Sequence, residues 1–265
     1  MPAGEYFTGL AETYAAFRPT YPRLAIEAIL QGLARPVQAA DIGCGTGIST
    51  RMLAEAGAEV IGIDPNQDML AQAQRQSAGD ARVEYRRGHG ERTGLSDASV
   101  HVVVCAQSFH WFNAAAALRE FHRILKPVSS GGGGGRLALM WNFRDDRDPF
   151  TKGYGEVVER AQADARCRGR TTGDEHAGDP TIGGWFVSPR VLTFANPQAM
   201  DLQGLLGRAR SASYFPPPGA LREELESELR RLFGAHQREG RVILHHRTEI
   251  TLSERSDRVL GVAPA

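Results

Sequence analysis

The sequence predicts an α/β fold in which helices cover both faces of a mostly parallel sheet. Short apolar runs alternate with amphipathic stretches of about ten residues, which is typical of parallel strands joined by crossover helices. The first apolar run, 37–42, leads into a glycine-rich turn at 43–47 and then into a helix. The segment 241–252 alternates apolar and polar residues, which predicts a long strand late in the chain.

The predicted elements follow one another in a regular order. Strands are expected at 37–42, 59–63, 82–85, 100–106, 137–141, 191–194 and 241–252. Helices are expected at 10–17, 24–33, 48–56, 66–76, 113–125, 150–161 and 220–233. Asn113 is a typical first residue for the fifth of these helices, and Lys126-Pro127 marks its end.

These elements divide the chain into four parts. We expect a helical cap at 1–36, a core at 37–142, an insertion at 143–190 that covers a ligand site, and a part at 191–265 that completes the sheet. Within the polar insertion, 169–184 is either a mobile lid or a surface loop. The glycine-rich run 129–135 predicts a flexible loop, because it lacks the lysine and hydroxyl residue of a phosphate cradle.

The composition is that of a soluble globular protein, with 42% hydrophobic and 23% charged residues. Lys+Arg and Asp+Glu both number 31, and this balance disfavours a nucleic-acid or anionic-membrane partner, which needs a basic face. We expect no membrane span, a cytoplasmic location, and a monomer or homodimer. The 3 cysteines have no metal-ligand spacing and are expected to be reduced thiols, so we expect no metal.

The strongest motif is D-I-G-C-G-T-G at 41–47, between the first predicted strand and the following helix. Its glycines let the backbone turn tightly and approach a ligand closely, and the helix start offers free N–H groups. The dinucleotide fingerprint G-x-G-x-x-G would require glycine where Ile48 stands. A pyrophosphate would gain nothing from Asp41, whereas a ligand with an ammonium group would.

A second motif, V-I-G-I-D-P, ends the second strand. Asp64 follows Gly43 by 21 positions, and an acid about 20 residues after such a turn accepts hydrogen bonds from ribose hydroxyls. Alternatively, Asp64 only caps the next helix. Two weaker motifs at 88–91 and 105–112 also follow strand ends, where open α/β sheets bind ligands.

The pattern D-x-G-x-G-x-G with Asp64 resembles the cofactor motifs of class I S-adenosylmethionine (SAM)-dependent methyltransferases. The resemblance implies a Rossmann-like sheet with an antiparallel last strand, an N-terminal helical lid and an insertion after strand 5. It also implies SAM as the cofactor and S-adenosylhomocysteine as its product. The cofactor-binding residues that it implies are Tyr14, Arg18, Asp41, Gly43, Cys44, Gly45, Thr46, Gly47, Asp64, Pro65, Met69, His89, Gly90, Glu91 and Gln107.

Four segments, 14–22, 108–112, 140–145 and 208–214, resemble a small-molecule branch of that family. The branch includes trans-aconitate methyltransferase-like and bacterial biosynthetic methyltransferases. Its members act on carboxylates, keto acids, prenyl diphosphates and other metabolites, so the resemblance leaves the acceptor open. We expect an anionic acceptor from specialised metabolism.

Arginines that fork around an anion and aromatic faces that stabilise a cationic methyl group would suit such an acceptor. The residues expected there are Tyr21, Trp111, Trp141, Trp185, Arg208, Arg210 and Tyr214. A general base is needed only if the acceptor loses a proton, and the residues considered for this role are His110, Glu175 and His176. Each of these side chains also has a simpler interpretation as core or solvated surface.

Three other functions share parts of the pattern. A nucleic-acid methyltransferase would need a positive track and stacking aromatics. Asp41 and Ile48 disfavour an NAD(P) oxidoreductase. A non-catalytic SAM-binding protein is compatible with the same motifs.

Overall fold

The computed structural model describes residues 9, 11–127, 134–168 and 184–256. One seven-stranded sheet has the order β3-β2-β1-β4-β5-β7-β6. The strands are β1 (Val37–Ile42), β2 (Ala58–Asp64), β3 (Val83–Arg87), β4 (Val102–Ala106), β5 (Arg136–Arg144), β6 (Phe186–Met200) and β7 (Val242–Arg255). The helices are α1 (Ala11–Phe17), α2 (Arg23–Leu30), α3 (Ile48–Glu55), α4 (Gln67–Gln76), α5 (Ala114–Ile124), α6 (Pro149–Cys167), α7 (Leu202–Arg210) and α8 (Ala220–His236).

Strands β1 to β5 are parallel, and β7 is antiparallel to both of its neighbours, β5 and β6. This confirms the predicted α/β fold with an antiparallel last strand. The strand order reverses at β1, which has β2 on one side and β4 on the other. At such a switch point the connections leave towards opposite faces, and a crevice opens beyond the carboxyl ends of the strands.

The core lies on both faces of the sheet, because successive side chains of a strand point to opposite sides. Ala39 in β1 belongs to a cluster that includes Ile26 of α2 and Leu53 of α3. Its neighbour Ala40 belongs to a second cluster, which includes Phe121 of α5. A third cluster joins α6, α7, α8 and the start of β7. Within the described residues, no helix combines the length and the apolar character that a membrane span requires.

Several elements differ from the prediction. Strand β5 continues to Arg144 and β6 begins at Phe186, so both predicted limits of the 143–190 insertion fall inside strands. Helix α7 was not predicted, because its two internal glycines weaken the helical signal. It is capped by Asp201, whose Oδ1 accepts a hydrogen bond from the Gly204 N–H at 2.7 Å. Residues 169–183 and most of the glycine-rich run, 129–133, lie outside the described residues.

Residues 17–20, at and just after the end of α1, are held against β5, β6 and α7. The Thr20 carbonyl accepts hydrogen bonds from Asn196 Nδ2 at 2.8 Å and from Asn142 Nδ2 at 3.5 Å. Phe17 packs against Gly207 of α7, where a Cβ atom would lie only 2.6 Å from the ring. These contacts hold α1 and the following turn beside β5, β6 and α7.

Asp41 joins β1 to α3 from inside the core. Its side chain is fully buried, and its Oδ2 accepts hydrogen bonds of 2.6 Å from both Ser49 Oγ and Thr50 Oγ1. Burial is the main reason why the pKa of Asp41 rises from 3.8 to about 6, although the two hydroxyl groups oppose this shift.

This shift predicts a pH-dependent contribution to stability. Between pH 4 and pH 6 the folded protein retains a proton on Asp41 that the unfolded chain loses, so raising the pH removes stability. A rise in pKa from 3.8 to about 6 corresponds to about 3 kcal/mol in total. The unfolding free energy of the wild type minus that of Asp41→Asn, measured in urea, should therefore fall by about 2 kcal/mol from pH 4 to pH 7, because at pH 4 the unfolded chain has already lost part of its proton.

The comparison with Asp41→Asn isolates this group, because other acids titrate in both proteins. Glu120 and Glu226, whose pKa values are lowered to about 2, act in the opposite direction in both. A difference in unfolding free energy that stays constant with pH would contradict the prediction.

Candidate functional site

A cavity of about 660 Å³ opens at the carboxyl ends of the first four strands. It contains most of the residues predicted for the cofactor: Tyr14, Gly43, Cys44, Gly45, Thr46, Asp64, Pro65, Met69, His89, Gly90, Glu91 and Gln107. Ala106, Ser108 and Phe112, which lie in the motif predicted at 105–112, also line the cavity, and sequence reasoning missed Ile48, Ser49, Asn66, Gln67, Asp68 and Arg87. Most of the missed residues lie next to predicted ones, so extending each motif by a few positions would have found them.

The glycine turn is held by the neighbouring strand. Ile42 of β1 lies beside Ile63 of β2, and the Gly43 N–H donates to the Ile63 carbonyl at 2.7 Å. Gly43 has a φ of 71°, and a Cβ atom there would lie 2.5 Å from the Cβ of Ser108. Gly45 also has a positive φ, 54°, but a Cβ atom there would meet nothing within 4 Å. A side chain therefore cannot be accommodated at Gly43, whereas the space beside the backbone at Gly45 is open.

Asp64 lines the cavity and is hydrogen-bonded directly to this turn. Its Oδ2 accepts from the Gly45 N–H at 2.9 Å, and its Oδ1 accepts from the Asn66 N–H at 2.8 Å. Burial raises the pKa of Asp64, and the two backbone hydrogen bonds oppose that rise. The cap of α4 is Asn66, whose Oδ1 accepts from the N–H groups of Asp68 and Met69, so Asp64 is not the helix cap. Its remaining lone pairs are available to a ligand.

Three residues predicted for the cofactor do not line the cavity. They are Asp41, Gly47 and Arg18. Asp41 turns its Oδ2 towards α3, while its Oδ1 has no hydrogen-bond partner among the described residues. Thr46 does line the cavity, and its buried Oγ1 likewise lacks a partner within the described part of the chain.

Aromatic side chains form one wall of the site. Tyr14, Tyr21 and Trp111 line the cavity. The ring of His110 contacts both Trp111 and Trp141, with centroid distances of 4.7 and 5.3 Å, but His110 and Trp141 themselves do not line the cavity. Glu175 and His176, the other residues considered as a base, lie outside the described residues.

The structure corrects the expected position of Trp185. This residue precedes β6, and the antiparallel register pairs Phe186 with Arg255 near the start of β5. Trp185 therefore lies at the opposite edge of the sheet from the cavity, where its ring contacts His122 at a centroid distance of 5.1 Å. The sequence contains no signal for this register, so the position of Trp185 could not be predicted from it.

The predicted arginines separate into two environments. Arg210 forms an ion pair with Glu226 of α8, at 2.8 Å from Nε and 2.5 Å from Nη2, so its guanidinium already has a carboxylate partner. Arg18 and Arg208 instead lie in a cluster with Arg144 and Tyr214. The guanidinium of Arg18 also lies 4.6 Å from the ring centroid of Tyr14.

His246 belongs to this cluster, although sequence reasoning gave it no role. It pairs with Arg144 across β5 and β7. Burial, followed by the charges of Arg208 and Arg144, lowers the pKa of His246 to about 3, so its ring is neutral at pH 7. The cluster therefore takes its positive charge from the arginines alone.

Residues 40–136 match a family model described as a methyltransferase domain. A protein of Mycobacterium tuberculosis named as an uncharacterized methyltransferase is 37% identical over 154 residues, which cover 58% of this chain and 59% of that protein. A 37.1 kDa protein of a Streptomyces fradiae transposon is 33% identical over 231 residues, covering 80% and 62%. The chain thus spans 59% and 62% of the lengths of these two relatives.

Solved structures share the fold over nearly the whole chain. A candidate type II methyltransferase from Anaeromyxobacter dehalogenans has a TM-score of 0.58 at 24% identity, covering 90% of this chain and 98% of that one. A geranyl diphosphate C-methyltransferase from Streptomyces coelicolor, crystallised with Mg²⁺, geranyl diphosphate and S-adenosylhomocysteine, has a TM-score of 0.51 at 16% identity, covering 97% and 100%. Residues 40–136 thus match a methyltransferase domain, and the D-x-G-x-G-x-G turn and the sheet order agree with the class I methyltransferase fold, whose cofactor is SAM.

Proposed function

We propose that the protein transfers a methyl group from SAM to a small anionic molecule. The observation that carries this proposal is the cavity in which an open glycine turn faces Asp64. The sulfonium of bound SAM supplies an already activated methyl group. The protein then has to hold donor and acceptor in line and to exclude water.

The residues of the cavity fit SAM. The open backbone at Gly45 leaves room for close approach, and the partnerless Thr46 hydroxyl can bond to a polar ligand. Asp64 retains lone pairs for a ribose diol, and Pro65 and Met69 offer apolar contact to an adenine ring. A volume of about 660 Å³ also suits a cofactor of this size.

The aromatic wall would contribute to transfer. Tyr14, Tyr21 and Trp111 line the cavity, and their faces can stabilise a cationic methyl group by ~0.5–2 kcal/mol each. His110 is the described residue that we propose as a base for an acceptor that must lose a proton. Its ring does not line the cavity but contacts Trp111, which does, so the proposed role requires that the acceptor reach past Trp111.

The proposed negative charge of the acceptor is supported by the arginines near this wall. Arg18 contacts Tyr14, and no described carboxylate neutralises Arg18 or Arg208. The Streptomyces coelicolor enzyme of the same fold was crystallised with geranyl diphosphate, which is itself an anion.

Cofactor binding predicts a thermal shift that depends on Gly43. S-adenosylhomocysteine at about 100 times its Kd should raise the Tm of the wild type by about 5–10 °C, because it binds only the folded protein. Gly43→Ala should abolish this shift, since its Cβ would meet Ser108 and disturb the turn.

Gly240→Ala is the matched control. Gly240 has a similar φ of 75°, but a Cβ atom there would meet nothing within 4 Å, and the residue lies just before β7. It should lose stability through backbone strain and keep the full ligand shift. A folded Gly43→Ala variant with an undiminished shift, or an equal shift of the wild type with NAD, would contradict the proposed cofactor site.

The acceptor class can be tested with methyl-labelled SAM and a cell extract. The wild type should move label into the acidic small-molecule fraction, and Gly43→Ala should not. Fractionation by size and by solvent extraction checks this. Label in RNA or protein, or no label from a wild type that binds S-adenosylhomocysteine, would count against the proposed acceptor.

A further inference from the structure

Three arginines from distant parts of the chain surround Tyr214, beside the aromatic wall. Arg18 follows α1, Arg144 ends β5 and Arg208 lies in the last turn of α7. The contact between Phe17 and Gly207 brings α1 against α7, and Arg18 Nη2 donates to the Ser211 carbonyl at 3.4 Å, just after α7.

These arginines lack the counter-ions that other arginines of the protein have. Arg210 pairs with Glu226, and Arg160 pairs with Glu224 and Glu228. In the described part of the chain, Arg18, Arg144 and Arg208 have no carboxylate within ion-pair distance, and the Nε atom of each is buried without a hydrogen-bond partner. Acidic residues equal basic ones in number, so the imbalance is local to this cluster.

The missing counter-charge costs stability. Burial and then the charge of Arg18 lower the pKa of Arg208, which means that its charged form is less stable there than in water. Buried cations without partners are unfavourable, and such groups occur where a ligand completes the site.

Tyrosines complete the surroundings of the cluster. Burial raises the pKa of Tyr214, so its hydroxyl stays protonated and can donate a hydrogen bond to an anion. Tyr154 is buried and interacts with both Tyr214 and Arg208. Tyr14 and Tyr21 both interact with Arg208, and both line the cofactor cavity. The cluster therefore lies next to the site proposed for the methyl donor.

We propose that Arg18, Arg144 and Arg208 bind an acceptor group that carries at least two negative charges, as in a polycarboxylate or a diphosphate. A guanidinium fork matches the paired oxygens of a carboxylate or phosphate, and three such forks exceed what one monoanion can satisfy. This inference rests on the proposed function, because it assigns the group to the methyl acceptor.

Calorimetry on the full chain saturated with S-adenosylhomocysteine tests the inference. Citrate and inorganic pyrophosphate are the probes, and acetate at the same ionic strength is the monoanion control. One of the two multivalent probes should bind at least tenfold more tightly than acetate, and the preferred probe identifies polycarboxylate or diphosphate chemistry.

Arg144→Gln and Arg208→Gln should each weaken binding of the preferred probe at least tenfold, because each removes charge-assisted hydrogen bonds. Without the probe, neither variant should have a lower Tm than the wild type, since each relieves repulsion between like charges. Replacing an arginine with a purely structural role would instead lower the Tm and leave binding of the probe unchanged. Arg160→Gln, in an exposed ion pair, should bind the probe like the wild type.

Two results would overturn the inference. One is a wild type that binds S-adenosylhomocysteine but binds neither multivalent probe better than acetate. The other is binding within threefold of the wild type in both Arg144→Gln and Arg208→Gln. In either case the proposed cofactor site stands, whereas failure of S-adenosylhomocysteine to bind the wild type would remove the proposed function itself.

Discussion

The register between β1 and β2 is the constraint on which the site depends. Because Ile42 lies beside Ile63, the glycine turn and Asp64 leave the sheet at the same level. The N–H groups of Gly43 and Cys44 can then share the Ile63 carbonyl, and the Gly45 N–H can reach the Asp64 carboxylate. A shift of one residue would separate these partners and would also exchange the two faces of the strand. The parallel pair thus fixes the core and the cofactor turn together.

The two acids of the cofactor motifs perform different structural tasks. Asp64 stands at the cavity, with backbone N–H donors on both oxygens. Asp41 is turned towards Ser49 and Thr50, so it connects the end of β1 to the first turn of α3. Both carboxyl groups have raised pKa values because burial outweighs their hydrogen bonds. The sequence pattern identifies both acids but does not distinguish the inward-facing one from the one at the cavity.

Local features were predicted from the sequence, and features that depend on tertiary register were not. The glycine turn, Asp64 and the Asn113 cap involve short-range geometry, and the structure has all three. Trp185 was misplaced because its position depends on pairing with residues near the end of β7. Arg144 and His246 were missed because they meet only when β5 and β7 align, 102 positions apart in sequence number. Arg210 was assigned to an acceptor because its partner, Glu226, lies on another helix.

Tyr14 belongs to two environments at once. Its ring lines the cofactor cavity and also stacks against the guanidinium of Arg18. A ligand on either side would therefore contact the same ring, which is the route by which one ligand would affect the other. Reciprocity then requires that any factor by which an anion near Arg18 changes the affinity for the cofactor equals the factor by which the cofactor changes the affinity for that anion.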